Sequence, residues 1–357
     1  MKSMQDKDSK SEGKPSFLNH VIRSVMWRII IFVLIILLIG GIIFFAKLGR
    51  DKTTPTGKEV QVTACNDGMD NDNDTLIDYP ADYGCHSPTD TDESFQQVDM
   101  IRTDLNSEND DANVFITSDG LEVYFISDRK TGYGWDFYHA TRPDTSSSFS
   151  VPEELSSLST TDPYENGIWV SDDGLRAYIN RQPDVNRIYM ASRPNLSGSF
   201  GAATELKELC EGSSCGTESL LPDELTVFFS NNKGRDNMGK TDIYMATRPS
   251  IDSAFDTIVN VASLNSAEGE SGICLSRDGL SIFFSSARLP HLGGGDIWYS
   301  YRLDLSSDWS TPVKVVELST ARQEGVGRGC VNYNNEIWYN RDPTGANVDF
   351  EIYYAIR

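Results

Sequence analysis

The stretch SDGLEVYFISDR at residues 118–129, followed by WDFYHATR at 135–142, recurs in altered form along the chain. Each copy contains a turn, an aromatic-rich strand, a basic residue, and a second strand that ends in Arg. Alternating apolar and aromatic residues around Asp-Gly turns predict β-hairpins. The other copies are SDDGLRAYINR (171–181) with RIYMASR (187–193), PDELTVFFSNNK (222–233) with DIYMATR (242–248), RDGLSIFFSSAR (277–288) with DIWYSYR (296–302), and NYNNEIWYNR (332–341) with EIYYAIR (351–357).

A further strand with an aromatic start occurs once per copy, and these starts are spaced 54, 51, 55 and 54 residues apart. Four short strands per unit at this period predict the blades of a β-propeller, because one blade cannot bury both of its faces alone. The array opens with this strand and ends on EIYYAIR, so the N-terminal strand is expected to complete the last blade and close the ring. The predicted fold is all-β: a five-bladed β-propeller over residues 95–357. The five starts are Phe95, Phe149, Phe200, Phe255 and Trp309.

The amino-acid sequence of these copies resembles that of the WD40-like repeats of TolB-type propellers. The shared pattern is Ser-Pro-Asp-Gly, an aromatic strand, Ser-x-Arg and Asp-Ile-Tyr, and it covers residues 95–357. The resemblance implies the propeller fold. It does not select a function, since such propellers include binding modules and domains attached to hydrolases.

Residues 29–46 form an uncharged apolar run of 18 residues, IIIFVLIILLIGGIIFFA. At about 1.5 Å of rise per residue, such a helix nearly spans a hydrocarbon core of about 30 Å, so we expect one transmembrane signal anchor. More Lys and Arg precede the run than follow it, which predicts a cytoplasmic tail at 1–28 and an extracytoplasmic C-terminal part, at the cell surface or in a periplasm. A cleaved signal peptide is the competing interpretation, but its apolar core is usually only about 7 to 15 residues long. Polar residues 47–64 then form a stalk.

The chain carries a net charge of −22, and the acidic residues are concentrated beyond residue 52. This charge argues against a nucleic-acid partner, and it is also what a soluble exposed domain needs, so it selects no ligand. All six cysteines lie beyond the apolar run, where an oxidising compartment favours disulfides. Cys65 with Cys85 and Cys210 with Cys215 bracket short loops, which would leave Cys274 with Cys330, although the sequence alone does not establish this connectivity.

A Cys-bounded Asp-rich module is predicted at residues 65–90, from the segment CNDGMDNDNDTLIDYPADYGC. Oxygen ligands at alternating positions suit Ca²⁺, which takes six to eight oxygens at about 2.3 to 2.6 Å. The segment resembles the Asp-rich loops of thrombospondin type 3 repeats and a Cys-flanked metal-binding motif of microbial surface proteins. One departure is Thr75, which stands where such loops use Gly. The alternative is a solvated acidic loop held by a disulfide. The expected ligands of a structural Ca²⁺ are Asp70, Asp72, Asp74, the carbonyl of Leu76, and Asp78.

In a propeller, the loops before the innermost strands and between the second and third strands meet on one face around the axis. One carboxylate and one base per blade are predicted there, and pairing of these acids with these bases is the simplest interpretation. The acids are Asp110, Glu165, Glu218, Glu270 and Glu324, and the bases are Arg129, Arg181, Lys233, Arg288 and Arg341. With the aromatic Trp169 and the non-repeated Arg328 nearby, the face suits a sugar or a peptide. The candidate ligand-binding residues are Glu165, Trp169, Glu218, Glu270, Glu324 and Arg328.

No catalytic residue is assigned from the sequence. Two facing carboxylates could hydrolyse a glycosidic bond, but nothing distinguishes an acid from a nucleophile among the glutamates, and no His-Glu-x-x-His motif occurs. We therefore expect a membrane-anchored binding or scaffold module that recognises a partner protein or a glycan. A glycan-active hydrolase with paired glutamates is the alternative.

Overall fold

The computed structural model describes residues 62–85, 87–130, 134–160, 164–234, 236–291, 294–321, 324–331, 336–343 and 350–357. Val62–Arg357 forms one compact unit. The predicted cytoplasmic tail and transmembrane segment, with most of the predicted stalk, lie outside the described residues. Within the described ranges, no helix is both long enough and apolar enough to cross a membrane.

Five four-stranded antiparallel sheets form the five blades of the propeller, as predicted. The first strands of neighbouring blades contact one another around the axis. A four-residue helix, α1 (Lys207–Cys210), precedes the third blade. The strands are β1 (Gln97–Ile101); in blade 1, β2 (Asp111–Ile116), β3 (Glu122–Ser127), β4 (Asp136–Thr141) and β5 (Glu153–Glu154); in blade 2, β6 (Glu165–Val170), β7 (Arg176–Arg181), β8 (Arg187–Ser192) and β9 (Thr204–Glu205); in blade 3, β10 (Cys215–Leu220), β11 (Thr226–Asn231), β12 (Asp242–Thr247) and β13 (Thr257–Asn260); in blade 4, β14 (Glu270–Leu275), β15 (Ser281–Ser286), β16 (Asp296–Tyr301) and β17 (Val313–Lys314); and in blade 5, β18 (Glu324–Val331), β19 (Glu336–Arg341) and β20 (Glu351–Ile356).

The fifth blade is completed by β1, the first strand of the array. Its order is β1-β20-β19-β18, and β1 pairs antiparallel with β20 at Met100↔Tyr354 and Ile101↔Tyr353. The expectation that the N-terminal strand closes the ring is confirmed. Closure in this way covers a sheet edge that would otherwise expose unpaired backbone groups.

The middle strands are buried on both faces because each sheet packs between two others. β3 is buried at five of its six positions, where a one-sided sheet would alternate. Aromatic side chains fill the spaces between blades: the rings of Phe115 and Trp169 are 5.8 Å apart, from blades 1 and 2. The aromatic residues of the repeats therefore form the core.

In four of the five repeats, the terminal Arg stabilises the turn between the first two strands of its own blade. In four blades its Nε donates a hydrogen bond to a carbonyl of that turn, and its guanidinium lies over the aromatic residue that opens the next strand. This repeated Arg and its aromatic partner therefore stabilise the blade. The pairs are Arg142 with Gly120 (2.6 Å) and Phe149, Arg193 with Gly174 (2.6 Å) and Phe200, Arg248 with Glu224 (2.9 Å) and Phe255, and Arg302 with Gly279 (2.8 Å) and Trp309.

Two of the predicted disulfides are present, Cys65–Cys85 and Cys210–Cys215. Cys274 is also disulfide-bonded. Its predicted partner is Cys330, whose side chain lies outside the described residues, so that pairing stays a prediction.

Candidate functional site

In blades 2 and 4, the acids and bases predicted from the repeats form ion pairs within the same blade. Glu165 Oε2 lies 3.1 Å from Arg181 Nε in blade 2, and Glu270 Oε1 lies 3.1 Å from Arg288 Nη2 in blade 4. Both carboxylates are almost completely buried. The interpretation that these acids and bases pair with each other is confirmed for these two blades.

Blade 1 follows the same scheme with a different acid. The predicted residue, Asp110, accepts a hydrogen bond from the Phe350 N–H at 2.7 Å. The carboxylate beside Arg129 is that of Asp111, at 2.5 Å and fully buried. The prediction of Asp110 as the paired acid is wrong by one position, because successive side chains of a strand point to opposite faces and only Asp111 faces the base.

Four of the five bases, all of them Arg, also hold the loop that precedes their blade. Each guanidinium donates to a leucine carbonyl of that loop and lies over aromatic rings of the same blade, so several contacts fix it. The carbonyls are those of Leu105 for Arg129, Leu158 for Arg181, Leu264 for Arg288 and Leu318 for Arg341. The rings under the guanidinium are Tyr138 for Arg129, Tyr189 for Arg181, Trp298 for Arg288 and Tyr353 for Arg341.

Blade 3 departs from the ring. The position that holds Glu165 in blade 2 is Cys215 here, the first residue of β10, and it is bonded to Cys210. Glu218 is the fourth residue of β10 and is fully buried, while Lys233 is exposed. The structure therefore does not bring Glu218 into line with the glutamates of blades 2 and 4.

In blade 5, the backbone of Glu324 lies opposite Arg341, as the ring predicts. Arg341 Nη1 contacts the Asp99 carboxylate of β1 at 2.5 Å. The side chains of Glu324 and Arg328 lie outside the described residues. Their proposed role in ligand binding stays a prediction.

Trp169 lies away from the ring of acids. It is four residues beyond Glu165 on β6, which corresponds to about 13 Å at about 3.3 Å of rise per residue. Its ring is 95% buried and packs on Phe115 and on Tyr178 at 5.7 Å. It lines a small central cavity on the face that carries the Asp-Gly turns, beside Asp172 and Arg277. The structure thus places Trp169 and the acids at opposite ends of the inner strands.

That turn face also holds a larger cavity, of about 190 Å³, between blades 1 and 2. No feature of the sequence pointed to this cavity. Its walls are mostly polar turn residues, which belong to every copy of the repeat, so no local signal marked them. They include Thr117, Ser118, Asp119, Glu122, Asp172 and Asp173.

Burial sets the electrostatics of the buried ion pairs. It raises the pKa of Glu165, while the Arg181 guanidinium acts in the opposite direction. Burial also lowers the pKa of Arg288, against the attraction of Glu270. Hydrogen bonds complete each pair: Glu165 Oε1 accepts from the N–H and hydroxyl of Thr160, at 2.9 and 3.0 Å.

The Asp-rich module arranges its carboxylates as the alternating pattern predicts. Even-numbered residues from 70 to 78 are partly buried and the odd-numbered residues between them are exposed. One carboxylate oxygen each of Asp70, Asp72 and Asp74 lies within 4.8 Å of the other two. Leu76 donates its N–H to Asp74 at 2.7 Å, and Asp78 accepts the Gly68 N–H at 2.9 Å. The loop therefore gathers three of the predicted ligands, Asp70, Asp72 and Asp74.

Thr75 has the backbone conformation that the pattern required of a glycine. Its φ is +79°, in the left-handed region, and its side chain is exposed. Its N–H donates to Asp70 Oδ2 at 3.1 Å, which holds the loop closed. A β-branched residue is strained in this region.

Several carboxylate oxygens of the module are buried with no hydrogen-bond donor. Burial, followed by the neighbouring charges, raises the pKa of Asp72; burial raises that of Asp82 to about 7. Buried, unpaired oxygens of this kind cost free energy unless a cation or proton neutralises them. The donor set consists of hard oxygens and fits a divalent cation such as Ca²⁺. The oxygens are Asp70 Oδ1, Asp74 Oδ2, Asp78 Oδ1 and Asp82 Oδ2.

The module packs against blades 4 and 5. Arg357, the terminal Arg of the fifth repeat, donates to the carbonyls of Tyr83 and Cys85 at 3.1 and 3.2 Å. Tyr299 donates its hydroxyl to the Pro80 carbonyl, and Tyr79 donates its hydroxyl to Asp278. In this blade the repeated Arg therefore holds the module.

Taken together, the five closed blades define the chain as an all-β, five-bladed β-propeller preceded by a disulfide-bonded acidic module. No protein-family model matches the sequence, and a search of curated protein sequences finds no match either.

Solved structures similar to this chain include a TolB-type protein and two glycoside hydrolases. A TolB homologue from Agrobacterium tumefaciens is 18% identical, with 71% of this chain and 82% of that chain covered and a TM-score of 0.43. An α-L-arabinofuranosidase domain from Coprinopsis cinerea is 9% identical (73% and 96% covered, TM-score 0.49), and a thermostable family-43 glycoside hydrolase is 9% identical (72% and 91% covered, TM-score 0.47). These neighbours do not distinguish a binding protein from a hydrolase.

Proposed function

We propose that this protein is a membrane-anchored, extracytoplasmic binding or scaffold module, in which the propeller recognises a partner protein or a glycan around its axis. The observation that carries the proposal is the burial and ion pairing of two candidate glutamates. Glu165 and Glu270 are each buried and ion-paired within their own blade. A carboxylate committed in this way is a poor nucleophile or general base.

The alternative is a glycan-active hydrolase that uses paired glutamates on the same face. The raised pKa of Glu165 is the feature that favours it, since a general acid must hold its proton near neutral pH. Against it, Glu165 accepts hydrogen bonds at both oxygens, from Thr160 and Arg181. We therefore place binding ahead of catalysis.

The proposal includes a structural Ca²⁺ in the Asp-rich module. Asp70, Asp72 and Asp74, with the Leu76 carbonyl and Asp78, would supply the oxygen ligands. The clustering of Asp70, Asp72 and Asp74 supports it, as do the buried, unpaired oxygens of Asp70, Asp74 and Asp78. The cation would neutralise these charges and stiffen the segment between the stalk and the propeller.

Membrane anchoring rests on the sequence: the apolar run at 29–46 and the excess of Lys and Arg before it. The two predicted disulfides that the structure reproduces, one in the module and one in the propeller, fit an oxidising compartment. Together these features support a C-terminal part held outside the cytoplasm, where a binding module meets its partner.

The test uses the full chain, purified in a mild detergent, on a glycan array and with a panel of p-nitrophenyl glycosides. We expect no turnover of any glycoside. Glu165→Gln and Glu270→Gln are assayed beside Glu153→Gln, a control in which an exposed carboxylate is neutralised. Turnover by the wild type that is lost in the first two variants and kept in the control would refute the binding proposal in favour of the hydrolase.

A further inference from the structure

A second cluster of carboxylates lies next to the predicted Ca²⁺ loop and draws on residues outside it. One oxygen each of Asp72, Asp82 and Glu93 lies within 4.8 Å of the other two. Asp72 also belongs to the first cluster, with Asp70 and Asp74. Asp82 precedes Cys85 in the chain and Glu93 follows it. The segments on both sides of Cys85 therefore come together at Asp72.

Asp82 belongs to this cluster and has a buried carboxylate oxygen without a hydrogen-bond donor. The residue is completely buried; its Oδ1 accepts the Gly84 N–H at 2.7 Å, and its Oδ2 has no partner. A buried carboxylate oxygen beside two further carboxylates is strongly unfavourable on its own. A cation bound among the three residues removes that cost.

Glu93 is held in place by the module itself. It is 1% exposed and accepts the N–H groups of Asn71 at 2.5 Å and Asp78 at 3.3 Å. Its backbone lies directly on Gly84, where a Cβ would come within 1.5 Å of the Glu93 carbonyl oxygen. Only glycine fits this contact, so the segment that contains Glu93 packs directly against the Cys-bounded loop.

Glu93 is also four residues before β1, the strand that closes the propeller ring. Between them, Phe95 lies against Tyr83 of the module, with ring centroids 6.1 Å apart. We propose that Asp82 and Glu93 are ligands of the module's divalent cation, together with Asp72, which belongs to both clusters. The bound cation would then join the Asp-rich loop to the closing strand of the propeller.

This proposal rests on the proposed cation binding and assigns it two ligands that the loop pattern does not contain. Asp82→Asn is the cleanest variant, because the amide oxygen can still accept the Gly84 N–H and only the unpartnered oxygen is replaced. Glu93→Gln is the second variant. Asp70→Asn, in the predicted loop, serves as reference, and Glu153→Gln, an exposed carboxylate on β5, is the matched control.

The experiment titrates CaCl₂ into the full chain, purified in detergent and stripped with a chelator, by isothermal calorimetry. Thermal unfolding is followed in parallel with and without CaCl₂. We expect Asp82→Asn and Glu93→Gln to weaken Ca²⁺ binding about tenfold or more, and to reduce the rise in Tm that Ca²⁺ produces. Without Ca²⁺, Asp82→Asn is expected to unfold at the same temperature as the wild type or higher, which a purely structural role for this carboxylate does not predict.

The outcomes separate the two proposals. No binding of Ca²⁺ by the wild type overturns the Ca²⁺ site as a whole. Binding that is lost in Asp70→Asn but unchanged in Asp82→Asn and Glu93→Gln keeps the predicted loop site and overturns this inference. A lower Tm of Asp82→Asn in the absence of Ca²⁺, with unchanged affinity, also overturns it.

Discussion

Replacing Thr75 with Gly is expected to strengthen the Asp-rich module. Thr75 has a φ of +79° and an exposed side chain, and its N–H closes the loop on Asp70. The change therefore acts on the backbone alone and keeps the hydrogen bond.

The magnitude follows from two opposing terms. A residue with a Cβ is destabilised by about 1 to 2 kcal/mol in the left-handed conformation. Glycine loses about 0.5 to 1 kcal/mol more in conformational entropy on folding. The net gain is about 0.5 to 1 kcal/mol, which corresponds to about a two- to fivefold change in an equilibrium constant.

The assays are thermal unfolding with and without CaCl₂ and calorimetric titration with CaCl₂. Thr75→Gly is expected to raise the Tm, and to tighten Ca²⁺ binding about two- to fivefold if the loop orders as the cation binds. Thr75→Ala keeps the Cβ and controls for loss of the hydroxyl. Ile77→Gly, at an exposed position of the same loop without a positive φ, should lower stability. A Thr75→Gly protein no more stable than Thr75→Ala would refute the reasoning.

Two further predictions concern the propeller. Arg288→Met leaves the fully buried Glu270 without its cation and should cost about 3 to 5 kcal/mol of unfolding free energy, measured in urea; Lys130→Met, at an exposed ion pair, should cost less than about 1 kcal/mol. A hydrogen bond from His139 lowers the pKa of Glu122 below its ordinary 4.5. Ionised Glu122 therefore stabilises the fold above pH 4.5, so the stability difference between wild type and Glu122→Gln should shrink as the pH falls below that value.

Both predictions have a clear negative result. Equal losses of stability in Arg288→Met and Lys130→Met would show that the buried pair is not held as the structure indicates. A difference between wild type and Glu122→Gln that stays constant from neutral pH to well below 4.5 would show that the hydrogen bond from His139 does not favour the ionised carboxylate.

The fold was largely predictable because its signals are local and repeated. Each blade needs the same turn, aromatic strand and terminal Arg, so the period of the repeat is visible in the sequence. Ring closure was predictable from the phase of the array, which begins with a fourth strand at Phe95. Periodicity also made the repeated acids and bases look like a possible site, whereas in blades 2 and 4 they pair with each other.

The candidate sites were less predictable because they depend on direction and on distant contacts. The choice between Asp110 and Asp111 is set by which side of β2 faces Arg129. Trp169 is near Glu165 in sequence, yet the extended strand carries it toward the opposite face. No spacing rule marked Glu93, because the Cys65–Cys85 disulfide and the packing of Gly84 bring it to Asp72.

The sequence alone determined the five-bladed architecture, the order of closure, two disulfides and the alternating carboxylates of the module, since each depends on residue types at short or regular spacing. The tertiary structure decided which carboxylates are neutralised and which stay unpaired. It also showed that Arg357 of the fifth repeat holds the module, where the other four terminal Arg residues hold their own turns. The physical reason is that burial and charge pairing are set by atoms far apart in the chain, and only the folded ring brings them together.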